Sequence, residues 1–175
     1  MTNPDLTSVT EQIQALSDRQ AIADLIARLG RMLDDKRFDD AEAILAPEVA
    51  VHTPGGLANG REAVVGQARR NHTVQTQHVI TDVLVELEGD RARASANLIV
   101  TFGPDAPDSR LTINGSELTE SNLMLGERYR FGAARGPSGW RLTSVEVARV
   151  WSSSSQPLTP GVRVAQTDGA APAAA

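Results

Sequence analysis

Apolar residues return every three or four positions along the first part of the chain. Ile13, Leu16, Ala23, Ile26, Leu29 and Leu33 set the spacing, and Ile22, Leu25 and Met32 widen the stripe. This pattern predicts an amphipathic helix. Its start fits either SVTE at 8–11 or SDRQ at 17–20, each with the Ser-x-x-Glu/Gln form of a capping box. LDDKRFDD at 33–40 then interrupts the stripe with charge. Asp39 or Asp40 is placed to cap a short helix ending near Ala46, because Pro47 disfavours helix at the residue before it. VAVHT at 49–53 reads as a strand, PGGLANG at 54–60 as a turn cluster, and Arg61–Asn71 as another helix.

From His78 onward the period changes to two. VITDVLVELEGDRARASANLIVTF has strand composition on both sides of EGD, a tight hairpin signal. SNLMLGERYRFGAARGPSGWRLTSVEVARVW repeats that layout around a Gly/Pro/Ser turn. Between them GPDAPDSRLTINGSELTE is polar and long, and residues 103 to 117 are expected to form a flap. Helices followed by antiparallel hairpins mean an α+β domain with its helices on one face of a curved sheet. Residues 1–7 and the Ser/Pro/Ala-rich tail at 152–175 are expected to be disordered or flexible, leaving 8–151 as the folded unit.

Composition narrows the chemistry. The 175 residues carry a net charge of −5 and no Lys/Arg-rich run, so the footprint of a nucleic-acid binder is missing. Without cysteine there are no disulfides, thiolate metal sites or cysteine nucleophile. No apolar run approaches a membrane span and MTNPDLTSVTEQ lacks the features of a secretory signal, so a cytoplasmic location is expected. Neither G-x-G-x-x-G, a phosphate-binding loop nor G-x-S-x-G occurs, and no histidine spacing suits a metal. What remains is acid–base chemistry without cofactor or metal.

The order of motifs carries a resemblance. LDD after a long helix, APEVAVHTPGG, a helix opening on GREA, TQHVITDV, the EGD hairpin, GERYRF, GW and a closing VARVW together resemble the SnoaL-like branch of the nuclear-transport-factor-2-like superfamily, closest to the scytalone-dehydratase-like subgroup. The likeness spans about residues 12 to 151. It implies a cone-shaped barrel, a curved mixed or antiparallel sheet wrapped around N-terminal helices with one deep apolar pocket. It also implies a homodimer formed through the open face of the sheet. In such members an aspartate late in the first helix faces a histidine in a TQH element across the pocket, and Asp34 and His78 match them. Leu33 and Thr53 stand where that subgroup carries tyrosines, and ANLIVTFG has no counterpart of its second histidine.

His78 is therefore the candidate general acid/base and Asp34 its orienting partner, since an imidazole can both accept and donate a proton near neutrality. The plainer reading makes His78 a strand-start residue bonded to backbone and Asp34 a helix-end carboxylate. Asp82 has the strand parity of His78 and would share its face. His72, after RRN, suits a cationic group at a helix end. His52 and Thr53 have opposite parities, so one of them lines the pocket. Tyr129 or Asn97 would orient a substrate carbonyl, with Trp151 also at the substrate and Thr101 and Glu127 as weaker polar candidates. Arg69, Arg70, Arg128 and Arg130 read as exterior charges. The function expected is a cyclase, dehydratase or isomerase acting on a small polyketide-like or terpenoid-like molecule. The alternative is a non-catalytic binding or assembly subunit, such as the small subunit of a dioxygenase.

Overall fold

A computed structural model describes residues 4–103, 110–113, 116–119 and 123–153. Its first helix, α1 (Pro4–Asp34), runs unbroken for 31 residues through both candidate capping boxes, so neither starts it. Proline at the opening position suits a helix whose first N–H groups have no partner. The helix spans about 46 Å, and its burial begins only at Asp18. Ile22, Leu25, Ile26, Leu29 and Met32 are buried, whereas Ile13 and Leu16 of the expected stripe stand 61% and 65% exposed. At 3.6 residues per turn, positions 13 and 16 fall on the opposite side of the helix from 22, 25 and 29. Steps of three and four preserve a face only when they alternate in phase.

Asp18 has a different task from the capping expected of SDRQ. Its buried carboxylate accepts hydrogen bonds from the Trp140 indole N–H at 3.1 Å, from Gln14 at 3.0 Å and from Arg135. These bonds tie the middle of α1 to the far end of the sheet. The helix then stops at Asp34, where Lys36 takes a left-handed conformation with φ of 55°. After a 3-10 turn come α2 (Ala41–Ile44), β1 (Leu45–Thr53), β2 (Gly56–Asn59) and α3 (Arg61–Asn71). Asp40 sits at the N-cap of α2 without a capping bond, paired instead with Arg37 at 2.8 Å.

The long strands follow as β3 (Gln75–Glu88) and β4 (Arg91–Gly103), then β7 (Leu123–Gly136) and β8 (Gly139–Ser153), as the two period-two blocks predict. Between them β5 (Arg110–Ile113) and β6 (Ser116–Thr119) pair antiparallel, and the rest of the expected flap lies outside the described residues. So does the tail beyond 153, while α1 begins four residues ahead of the expected boundary at 8.

The main sheet has the order β2-β1-β8-β7-β4-β3, antiparallel throughout except for the parallel pair β1–β8. It is curved and mixed, but β2 and β3 are free edges, so the expected barrel is not closed. Helices cover its concave face. On that face β4 contributes Ala92, Ala94, Ala96, Leu98, Val100 and Phe102, all buried. Register then places Leu125, Glu127, Tyr129 and Phe131 of β7, and Val145, Val147 and Arg149 of β8, on the same side.

One irregularity changes a parity. The β3–β4 register slips between Thr81 and Leu84, and Asp82 there adopts φ of 54°. A bulge of this kind swaps the faces of the residues beyond it. Asp82 therefore does not share the inner face with His78, as alternation predicts; it is exposed and accepts a hydrogen bond from Asn97 at 2.8 Å.

Candidate active site

His78 lies on the inner face of edge strand β3, paired in register with Val100. Its side chain is only 3% exposed. The last residue of α1 reaches it: Asp34 Oδ1 is 2.6 Å from the His78 ring Nδ1, and Asp34 Oδ2 accepts the His78 backbone N–H at 2.9 Å. Thr76, two residues earlier on the strand, donates its hydroxyl to Asp34 Oδ1 at 2.9 Å. A carboxylate at a helix C-terminus opposes the helix dipole, so local helix stability does not account for an acid here. The strand does. Burial pushes the Asp34 carboxyl upward, but the ring, backbone and hydroxyl bonds outweigh it and hold it below its ordinary value.

The tautomer follows. An ionised carboxylate only accepts, so the ring proton sits on Nδ1 and Nε2 is the nitrogen left for a ligand. His78 lines a cavity of about 100 Å³ together with Thr53, His72, Phe102, Glu127, Tyr129 and Arg149. A second lobe, also about 100 Å³, adjoins it through Thr53, Asn71, His72, Tyr129 and Val147, and is walled by Leu29, Met32, Leu33, Val51, Val64 and Val145. The single deep pocket expected is thus two lobes, one apolar and one bearing charge.

The polar end is built on β7 and β8. Glu127 is buried and accepts a hydrogen bond from Arg149 Nη2 at 3.2 Å. Burial first, then the neighbouring Glu127, push the Tyr129 phenol well above its ordinary value, so its hydroxyl keeps its proton.

His72 departs from expectation. Rather than a cation at a helix end, it is the C-cap of α3 with its ring turned inward, 5.5 Å from the His78 ring and 6.3 Å from Phe102. Burial, followed by the nearby His78, lowers its value from 6.5 to about 4, which leaves it neutral at neutral pH. Its Nδ1 lies 2.9 Å from the Ala68 carbonyl, which can only accept, so Nε2 is again an acceptor.

Of the residues expected at the substrate, Thr53 and Tyr129 line the cavity. The Thr53 hydroxyl is partly engaged by the following turn, where it accepts the Gly55 N–H at 3.1 Å. His52, Asn97 and Trp151 do not line it. His52 is exposed because its neighbour Val51 takes the inner position on β1. Asn97 is on the outer side of β4, bonded to Asp82. Trp151 covers Gly126 on the outer face, where a Cβ at 126 would collide with the indole. Arg149 was hidden in VARVW, whose alternation gives its parity but not its partner. Among the described residues no three His, Asp or Glu side chains converge as a metal site, and no helix is long and apolar enough to cross a membrane.

A model of the SnoaL-like domain matches residues 14–146. No curated protein matches the chain. Similar solved structures include a protein provisionally named as a scytalone dehydratase from Novosphingobium aromaticivorans, 15% identical, with a TM-score of 0.68 over 81% of this chain and 90% of that one. The type 2 hexachlorocyclohexane dehydrochlorinase LinA is also 15% identical, with a TM-score of 0.68 over 90% and 99% of the two chains. The Kfla4162 protein of Kribbella flavida is 20% identical, with a TM-score of 0.67 over 79% and 95%. At these identities the likeness is one of fold.

Proposed function

The chain belongs to the SnoaL-like domain family, and from that premise we propose that it is a cofactor-independent acid–base enzyme, a cyclase, dehydratase or isomerase acting on a small apolar polyketide-like or terpenoid-like molecule. The observation that carries this reading is the 2.6 Å contact between His78 Nδ1 and Asp34 with the ring set in the cavity wall. His78 Nε2 takes a proton from a substrate carbon, and Asp34 stabilises the imidazolium that forms. The same Nε2–H then returns the proton, to a leaving oxygen in a dehydration or to another carbon in an isomerisation. Asp34 touches the ring and not the substrate, so it is a positioning residue. The apolar lobe holds the hydrocarbon body. Two of the structural neighbours bear the names of eliminating enzymes, a dehydratase and a dehydrochlorinase, and elimination likewise begins with a proton leaving carbon.

A carbon acid tests this without the natural substrate. 2-Tetralone in heavy water should exchange its acidic C1 hydrogens faster in the presence of the protein, as followed by NMR. His78→Ala should lower that rate by about 10²-fold or more. Equal exchange by wild type and a folded His78→Ala protein that still binds the ketone would favour the non-catalytic binding reading instead.

A further inference from the structure

Arg149 is one of two described residues with a buried side-chain nitrogen that makes no hydrogen bond, in both cases the guanidinium Nε of an arginine. The other, Arg135, has that Nε 3.2 Å from the Asp90 carboxylate and is electrostatically answered. Among the described residues Arg149 has no such second acid. Its Nη2 faces Glu127 at 3.2 Å, the two side chains are 18% and 6% exposed, and both line the cavity that His78 lines. A buried donor left unmatched on a side chain that lines a cavity is a group that awaits an acceptor.

We propose that Arg149 is the specificity-determining residue of this cavity, its Nε–H seating an uncharged oxygen of the substrate, a carbonyl or a hydroxyl. The inference deepens the acid–base reading and rests on it for taking this cavity as the substrate site. Two observations fix the kind of acceptor. The positive charge of Arg149 is already matched by Glu127, so an incoming carboxylate would add a second negative charge beside a buried one. A neutral oxygen meets the Nε–H without that repulsion. Further, Asn97, expected to orient a carbonyl, lies outside the cavity bonded to Asp82, so that role falls to another donor. The apolar lobe next to this end takes the rest of the molecule. The substrate class is thus an uncharged, mostly hydrocarbon molecule with an oxygen at one end.

Calorimetric titration with 2-tetralone, tetralin and tetralin-2-carboxylate tests this, because the three share a skeleton and differ in the group offered to Arg149. Wild type should bind the ketone about tenfold or more tightly than either of the others. Arg149→Lys keeps a positive charge for Glu127 but has no Nε–H, and should bring the ketone within about twofold of tetralin. Glu127→Gln leaves the arginine charge unmatched and should raise carboxylate affinity about tenfold. Equal binding of ketone and tetralin by wild type, tightest binding of the carboxylate, a ketone preference that survives Arg149→Lys, or no ketone binding at millimolar concentration would each overturn the assignment. His78→Ala separates the two readings, since it should keep the ketone preference while losing hydrogen exchange. Lost preference with exchange intact sinks the Arg149 assignment alone. Intact preference with no His78-dependent exchange sinks only the acid–base reading.

Discussion

Gly30 of α1 packs against His78 of β3: a methyl group at residue 30 would lie 3.4 Å from the His78 Cβ and 3.0 Å from Ile80 Cδ1. The helix can approach the edge strand this closely because residue 30 has no side chain. One turn further on, Asp34 then falls within hydrogen-bond distance of the imidazole.

Gly30→Ala should accordingly separate stability from chemistry. Alanine favours the helix by about 1 kcal/mol, which offsets the crowding against Ile80. Thermal stability should change little while ketone exchange falls about tenfold, since a small misplacement of a catalytic pair is costly. Gly30→Val, with no room to adjust, should be destabilised by about 1–3 kcal/mol in urea titration. Unchanged exchange in Gly30→Ala would show that close approach is not what sets the pair.

Acid should weaken the fold through two carboxylates. Burial raises Asp18 and Asp34, but bonds from Trp140, Arg135 and Gln14 in the first case, and from His78 and Thr76 in the second, hold both below the ordinary 3.8. A folded value below the unfolded one means the unfolded chain takes up the proton first. The stability these groups contribute is present above about pH 4 and is lost as pH falls through the folded values. Asp18→Asn should be less stable by about 2 kcal/mol at pH 7 and lose less on acidification. Melting curves from pH 2 to 7 that run parallel for the two proteins would remove Asp18 from this account.

His72 should act over a higher window. Its folded value of about 4 lies below its ordinary 6.5, so between those values the unfolded chain binds a proton that the folded one refuses. Stability from this group is complete above pH 6.5 and declines toward pH 4, by up to about 3 kcal/mol. His72→Phe should keep the stack on His78 and Phe102 and flatten that interval. Nitrogen-15 NMR should show a His72 ring protonated on Nδ1 and uncharged at pH 6; a ring half-charged there would contradict its burial.

The expected homodimer would use the outer face of the sheet. Val79, Ile99, Met124 and Trp151 are exposed there, and register makes Val79, Ile99 and Gly126 beneath the Trp151 indole a continuous row across four strands. Ile99→Lys should shift sedimentation from dimer to monomer with little loss of fold. A wild-type protein that sediments as a monomer at micromolar concentration would dispose of this surface as a dimer contact.

Period and parity told much of the fold in advance. The change to period two at His78 marked the sheet and alternation in GERYRF put Glu127 and Tyr129 on one face, while parity in VAVHT left open whether His52 or Thr53 lines the cavity, which the structure answers with Thr53. The same alternation failed at Asp82, because a bulge depends on how β3 meets β4 and leaves no mark in the spacing. Ile13 and Leu16 misled for a related reason: apolar spacing was present, but on the side of α1 that the sheet does not reach.

By itself, then, the sequence determined which backbone period each segment follows and, wherever no bulge intervenes, which side chains share a face, since both are local properties of helix and strand. Only the tertiary structure decided which faces meet. The parallel β1–β8 pair, the neutral His72, the Asp34 carboxylate clamped on His78 and the unanswered Arg149 Nε all depend on what folds over each group. Burial, charge and hydrogen bonding act between residues far apart in the chain, here 44 positions for Asp34 and His78, and no local pattern carries them.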